Sequence, residues 1–134
     1  MERVKVVVHF ADHRIIKGFT QDFFPNKHLF HLYPENPAGP GDSVEIMIKD
    51  LKAIFFVRDF QGNAHYRERK EFQETDQLQG RKVAVTFFDG EVIVGSTLGY
   101  DPNRPGFFLF PVDPQSNNLR VFCISKAVKD VRYL

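Results

Sequence analysis

Histidine, cysteine and paired carboxylates are the side chains through which this chain could do chemistry. Five histidines stand among 134 residues, and His9, His28 and His31 are the set a metal would use. Zinc needs three or four nitrogen or sulfur donors converging on one point. His28 reads as a loop residue and His31 as a strand residue, so their spacing gives no reason for convergence. The histidines are read as solvated or interface residues. The single Cys123 excludes an internal disulfide and fits a reducing compartment. No serine, histidine and aspartate share a supporting context, no glycine-rich loop could cradle a phosphate, and no carboxylates pair at catalytic spacing. Asp12 and Asp89 each precede a turn, where a carboxylate commonly accepts from backbone N–H groups. The sequence predicts a protein that is not an enzyme and holds neither cofactor nor metal.

These residues are organised by a repeat. Residues 5–57 lie on residues 82–134 without a gap, at a constant offset of 77. Lys5, Val6, Val8, Phe10 and Asp12 return as Lys82, Val83, Val85, Phe87 and Asp89, and Ile16, Gly18 and Thr20 as Ile93, Gly95 and Thr97. Pro25, Asn26, Phe30, Leu32, Pro34, Pro37 and Val44 return as Pro102, Asn103, Phe107, Leu109, Pro111, Pro114 and Val121. Chance does not keep that register, so the chain is a tandem duplication. Each copy controls for the other: a position kept in both serves the shared fold, and one that differs is free or specialised. His9, His28 and His31 correspond to Thr86, Pro105 and Phe108, and Cys123 to Ile46. The fold requires neither imidazole nor thiol, and Cys123 reads as a small buried apolar residue.

The period within each copy is two. Val4, Val6, Val8 and Phe10 alternate with Lys5, Val7 and His9, so Val6, Val8 and Phe10 (with Val83, Val85 and Phe87) should face a core. Asp89-Gly90 predicts a type I′ hairpin turn, for which Asp12-His13 is a poorer choice. Strands then fall at 14–21, 29–33, 43–48 and 52–57, and at 91–98, 107–112, 119–124 and 128–134. Proline-rich loops span 34–40 and 111–118. Gly18 and Gly95 sit mid-strand, where a retained glycine marks a sharp bend or a close backbone approach. The predicted fold is all-β, two tandem five-stranded barrels of SH3 type, at 1–57 and 81–134. A polar linker, 58–80, joins them, with a short helical turn around Tyr66 to Glu74.

Composition bounds the rest. Hydrophobic content of 43%, with 15 Phe, suffices for packed cores. A repeat this small is marginal alone, so each is expected to lean on the other or on a second chain. The net charge of +1 is evenly spread, which gives no reason to infer nucleic acid from the field alone. No run approaches the roughly 20 apolar residues of a membrane span, and no signal core leads the chain. A soluble, cytoplasmic protein without membrane contact is expected. Phe55-Phe56, Phe87-Phe88 and Phe107-Phe108 are consecutive, so each pair should send one ring out of its barrel. Phe55, Phe56, Phe88, Phe108 and Tyr133 are the candidate interface residues.

The second copy resembles an Sm-like domain. Val83, Val85, Phe87, Asp89-Gly90, Ile93, Gly95 and Asp101 follow that family's first motif, and the ending Asp130-Val131-Arg132-Tyr133-Leu134 resembles the close of its second. The resemblance implies assembly by pairing the fourth strand of one barrel with the fifth of the next. It thus implies a homo-oligomer, three chains closing a pseudo-hexameric ring, while the commonness of two-fold oligomers favours a dimer; with the outward Phe rings, the expected role is protein–protein assembly. It also implies, as the alternative, single-stranded RNA binding through the loop-three residues Asn26, Lys27, Asn103 and Arg104. The family's Arg-Gly pair is replaced by Asp50-Leu51 and Ala127-Val128. A second alternative is a PilZ-like cyclic-dinucleotide-binding barrel, which Arg67, Arg69 and Lys70 before the second copy resemble faintly.

Overall fold

The computed structural model describes residues 3–35, 42–62, 65–74 and 78–134. The first copy forms β1 (Val4–Phe10), β2 (Ile15–Thr20), β3 (Leu29–Pro34), β4 (Val44–Met47) and, after a 3₁₀ turn at Ile48–Asp50, β5 (Leu51–Val57). The second forms β6 (Arg81–Phe87), β7 (Val92–Thr97), β8 (Gly106–Pro111), β9 (Asn118–Ile124), a 3₁₀ turn at Ser125–Ala127 and β10 (Val128–Tyr133). The all-β class expected from the alternation is found. All pairings are antiparallel, and the ten strands form one sheet in the order β10-β6-β7-β8-β9-β5-β1-β2-β3-β4. Pro37 and Pro40, of the proline-rich loop expected after β3, lie outside the described residues.

The offset of 77 reappears in the hydrogen bonding. Val6 stands opposite Gly18 as Val83 stands opposite Gly95, and Gly18 opposite Pro34 as Gly95 opposite Pro111. The Ile48 N–H donates to the His28 carbonyl, and the Ser125 N–H to the Pro105 carbonyl, each at 2.9 Å. Val6, Val8, Phe10, Val83, Val85 and Phe87 are all buried. Gly18 and Gly95 mark a close approach: a Cβ would lie 2.4 Å from the Tyr33 carbonyl oxygen in one copy and 2.3 Å from that of Phe110 in the other.

The hairpins differ from the expected type I′. Positive φ falls on Gly90 (95°) and His13 (76°), and on neither Asp89 nor Asp12. The Gly90 and His13 N–H groups donate to the carbonyls of Phe87 and Phe10, three residues back. That is a type I turn followed by one left-handed residue. Asp12 and Asp89 accept the N–H of Arg14 and Glu91 at 3.1 and 3.0 Å, the turn-bracing role their position suggested.

Two cores form, and β5 belongs to both. All seven residues of β5 are buried. Leu51, Ile54 and Phe56 join Val6, Val8, Phe10, Phe30, Leu32 and Ile46, whereas Ala53, Phe55 and Val57 join Val83, Val85, Phe87, Phe107 and Leu109. β9 divides likewise, with Phe122 and Ile124 in the first core and Val121 and Cys123 in the second. A strand enclosed on both faces tolerates no polar alternation, which accounts for the apolar run Ala53-Ile54-Phe55-Phe56-Val57.

The linker contains no helical turn among its described residues. Specific side chains tie it down instead. The Tyr66 hydroxyl donates to Asp113, the Arg69 N–H donates to the same carboxylate at 3.0 Å, and the Ser116 hydroxyl donates to Glu68. Polar partners on the β8–β9 turn anchor the segment's described residues, in keeping with its lack of helical period.

Candidate functional site

The central seam is the pairing of β5 with β9, a fifth strand of one copy against a fourth strand of the other. Ala53 stands opposite Cys123, Ile54 opposite Phe122 and Phe55 opposite Val121. Phe55 and Phe56, expected to put one ring outward, are both buried, one in each core. Their sequence reading is thereby corrected: the outward face of one repeat is the inward face of the other. Phe108 is partly buried against the first core, and the Arg120 guanidinium lies 4.5 Å from the centroids of both the Phe56 and the Phe108 rings. Phe88 and Tyr133 remain exposed, at 68% and 41%, with Arg81 stacked 4.5 Å over Tyr133.

An ionic cluster closes one end of the seam. The β1–β5 register slips at Lys52, and a bulge of this kind re-aims a side chain. The ammonium reaches across to the β6–β7 hairpin, 2.7 Å from Asp89 and in contact with Glu91, over the Phe87 ring at 4.9 Å. Burial works to lower the Lys52 pKa, but the bonds to Asp89 and Glu91 outweigh it and hold the ammonium above its usual value. The same bond from Lys52, with the Glu91 N–H, holds the Asp89 carboxyl below the usual range. His9 packs on Phe55 at 4.5 Å, where burial, and then the Lys52 charge, lower its pKa.

The loops meet at a second place. A cavity of about 520 Å³ is lined by His28, Met47, Ile48 and Lys49 of the first copy and by Pro102–Pro105 and Ile124, Ser125 and Lys126 of the second. Of the loop-three residues singled out in the sequence, Asn103 and Arg104 are brought into it. Asn26 and Lys27 are not: they line a separate depression with Asp22, His28, Leu29 and His31, where Lys27 lies 4.7 Å over Phe24. His31 is engaged by Asp22, 2.6 Å from its Nδ1. Among the described residues no three histidine, cysteine or acidic side chains gather as metal ligands. Cys123 is fully buried, and burial pushes its thiol well above the ordinary range. In the linker, Arg69 donates to the Glu71 carbonyl at 2.7 Å and Lys70 pairs with Glu68 at 2.8 Å. No helix among the described residues is long and apolar enough to cross a membrane.

The sequence reading missed Lys52, Lys49 and Lys126. A signal was available for all three, because Lys52 recurs as Lys129 and Lys49 recurs as Lys126. Lysines kept at matching positions deserve a reason other than the core.

Comparison with known protein families places the chain in one of them. The model of a family of unknown function, DUF6982, covers residues 2–134, and the chain belongs to that family. No curated protein and no solved structure matches.

Proposed function

We propose that the chain is a non-enzymatic assembly and binding module made of two tandem Sm-like barrels, acting through protein–protein contacts. The observation that carries this reading is the β5–β9 seam. This sequence joins one repeat to the next by laying a fifth strand on a fourth strand, and among the described residues the sheet ends on one strand of each kind, β4 and β10. Open edges carry unpaired N–H and C=O groups that accept an added strand. Transferring the seam register by 77 residues puts Val131 opposite Glu45, Arg132 opposite Val44 and Tyr133 opposite Ser43 of a second copy. That joint is more polar than the seam, so it forms a weaker, reversible contact. Light scattering across micromolar concentrations tests it. Mass rising toward a dimer or a three-chain ring, and reverting when proline replaces Arg132, is the expected result. A mass that stays at one chain throughout, and is untouched by the proline, removes self-assembly as the function.

A further inference from the structure

We propose that the outer face of β8 and β9 is a docking groove for a partner protein, which presents to it a short apolar segment bearing a carboxylate. The groove has a volume of about 540 Å³ and is lined by Pro25 of the first repeat and by Leu98, Tyr100, Phe108, Phe110 and Phe122 of the second. β8 is hydrogen-bonded to β7 on one side and to β9 on the other. No strand can be added here, so an occupant is held by side chains. The surface is distinct from the β4 and β10 edges, and the inference does not depend on them.

The first repeat is the control. Leu98, Phe108, Phe110, Arg120 and Phe122 stand where it has Gln21, His31, Tyr33, Ser43 and Glu45. There the same face is a polar depression of about 240 Å³ lined by Gln21, Asp22, His31, Tyr33 and Ser43, so the fold does not need an apolar surface at these positions. The seam accounts for part of the change, because Phe108 and Phe122 pack against Phe23 and the first core. It does not account for Leu98, which is 75% exposed, or for half-exposed Phe110, neither of which joins a core. Exposed apolar surface of this kind marks an interface.

Charge decides the occupant. The Arg120 guanidinium lies 4.5 Å from the centroid of Phe108, a ring it shares with the groove. Arg120 is half-buried, and burial lowers its pKa, yet among the described residues no carboxylate or carbonyl accepts from it. A cation drawn out of water without a counter-ion is costly, and an incoming carboxylate relieves that cost. Asp101 and Arg104, which also line the groove, face each other at 3.9 Å, so the uncompensated charge is that of Arg120. Aromatic side chains and arginine are also the residues that dominate binding at protein interfaces.

The test is selection of random peptides displayed on phage against the immobilised full chain, with the soluble Leu98→Gln/Arg120→Gln chain as competitor so that only groove-dependent binders survive. Enriched peptides should share an Asp or Glu beside leucine, proline or aromatic residues. The leading peptide, labelled with fluorescein, should saturate the parent below about 1 mM in fluorescence anisotropy. It should bind Leu98→Gln and Arg120→Gln each roughly tenfold more weakly. Replacing its acid by the amide should weaken binding to the parent but no further to Arg120→Gln, which ties the carboxylate to that guanidinium. Leu98→Gln should melt with the parent, its side chain being exposed, and Ile15→Gln, at an exposed apolar position outside the groove, should bind as the parent does. The proposal is overturned if no sequence is enriched, if the enriched sequences lack an acid, or if Leu98→Gln binds as tightly as the parent. It is overturned equally if Leu98→Gln abolishes self-association in light scattering, which makes the occupant a second copy, or if hexauridylate binds and the same two variants remove it, which makes the occupant a nucleic acid.

Discussion

The seam between β5 and β9 and the two open edges, β4 and β10, are built from equivalent positions and treated in opposite ways. Phe55 of the seam corresponds to Arg132 at the open end, Ala53 to Asp130, and Phe122 to Glu45. β5 is buried along its whole length, whereas β10 exposes Lys129, Asp130, Arg132 and Tyr133. β4 spans four residues against seven for β9. Short strands and charged side chains are how proteins blunt an edge against indiscriminate pairing. The two places therefore differ in both strand length and side chains: the seam is long and apolar, the open edges short or charged. Duplication supplied four edges; substitution sealed two and tempered the others.

The most severe way to break the contrast is to truncate matching positions. Phe55→Ala opens a cavity in the second core and should cost about 3–5 kcal/mol, while Arg132→Ala should change stability by no more than about 0.5 kcal/mol. Urea denaturation of both variants measures the difference; similar midpoints would mean that the seam is no more essential than the free edge. Next come the glycines, which the two ends share. Gly18→Val and Gly95→Val should each lose roughly 1–3 kcal/mol or more, because the new side chain meets a backbone oxygen of β3 or β8. A large asymmetry between the two would show that the repeats do not carry the same strain.

The ionic cluster sharpens the comparison further. Lys52→Met leaves Asp89 and Glu91 facing a buried methyl group and should cost about 1–2 kcal/mol, whereas Lys129→Met should be near neutral. The sign with pH follows from the two shifts. Asp89 is held low, so its contribution is present above the unfolded carboxyl pKa and lost as pH falls through the folded one; Lys52 is held high, so its contribution is complete below the unfolded lysine pKa and lost as pH rises through the folded one. The Lys52→Met penalty should be flat between roughly pH 5 and 10 and shrink on either side. A penalty independent of pH would assign the lysine's value to its stem alone. The smallest effect belongs to the hairpins. His13→Gly relieves a left-handed residue in the β1–β2 hairpin and should stabilise by about 0.5–1 kcal/mol, the gain limited by the added freedom of the unfolded chain. Calorimetry should show the melting temperature rising; a fall would mean that the His13 side chain stabilises the turn.

Much of the strand layout was legible because two signals agreed. Alternation at Val6, Val8 and Phe10 named one core face, and its return at Val83, Val85 and Phe87 showed that the face was inherited. Gly18 and Gly95 announced a close approach for the same reason. Phe55 and Phe56 misled because period-two reasoning assigns one face to solvent, while β5 has no solvent face. The uninterrupted run from Ala53 to Val57 was the available warning. The turn type escaped because Asp-Gly serves two hairpin geometries, and only the φ of Asp89 distinguishes them. The cavity was half visible: Asn103 and Arg104 stood out in their loop, but Lys49 and Lys126 meet them through a seam that no local pattern records.

Sharing β5 between two cores also sets a schedule for synthesis. The strand is complete at residue 57 and its partner β9 only at residue 124. At 5–20 residues per second the ribosome needs roughly 3–13 s to close that interval. Until β9 is made, Ala53, Phe55 and Val57 lack a complete second core, and one edge of β5 has no neighbour. Transiently exposed apolar surface and an unpaired strand edge are the features that make incomplete chains prone to association. The arrangement that makes the finished molecule continuous also makes its first half unable to finish alone.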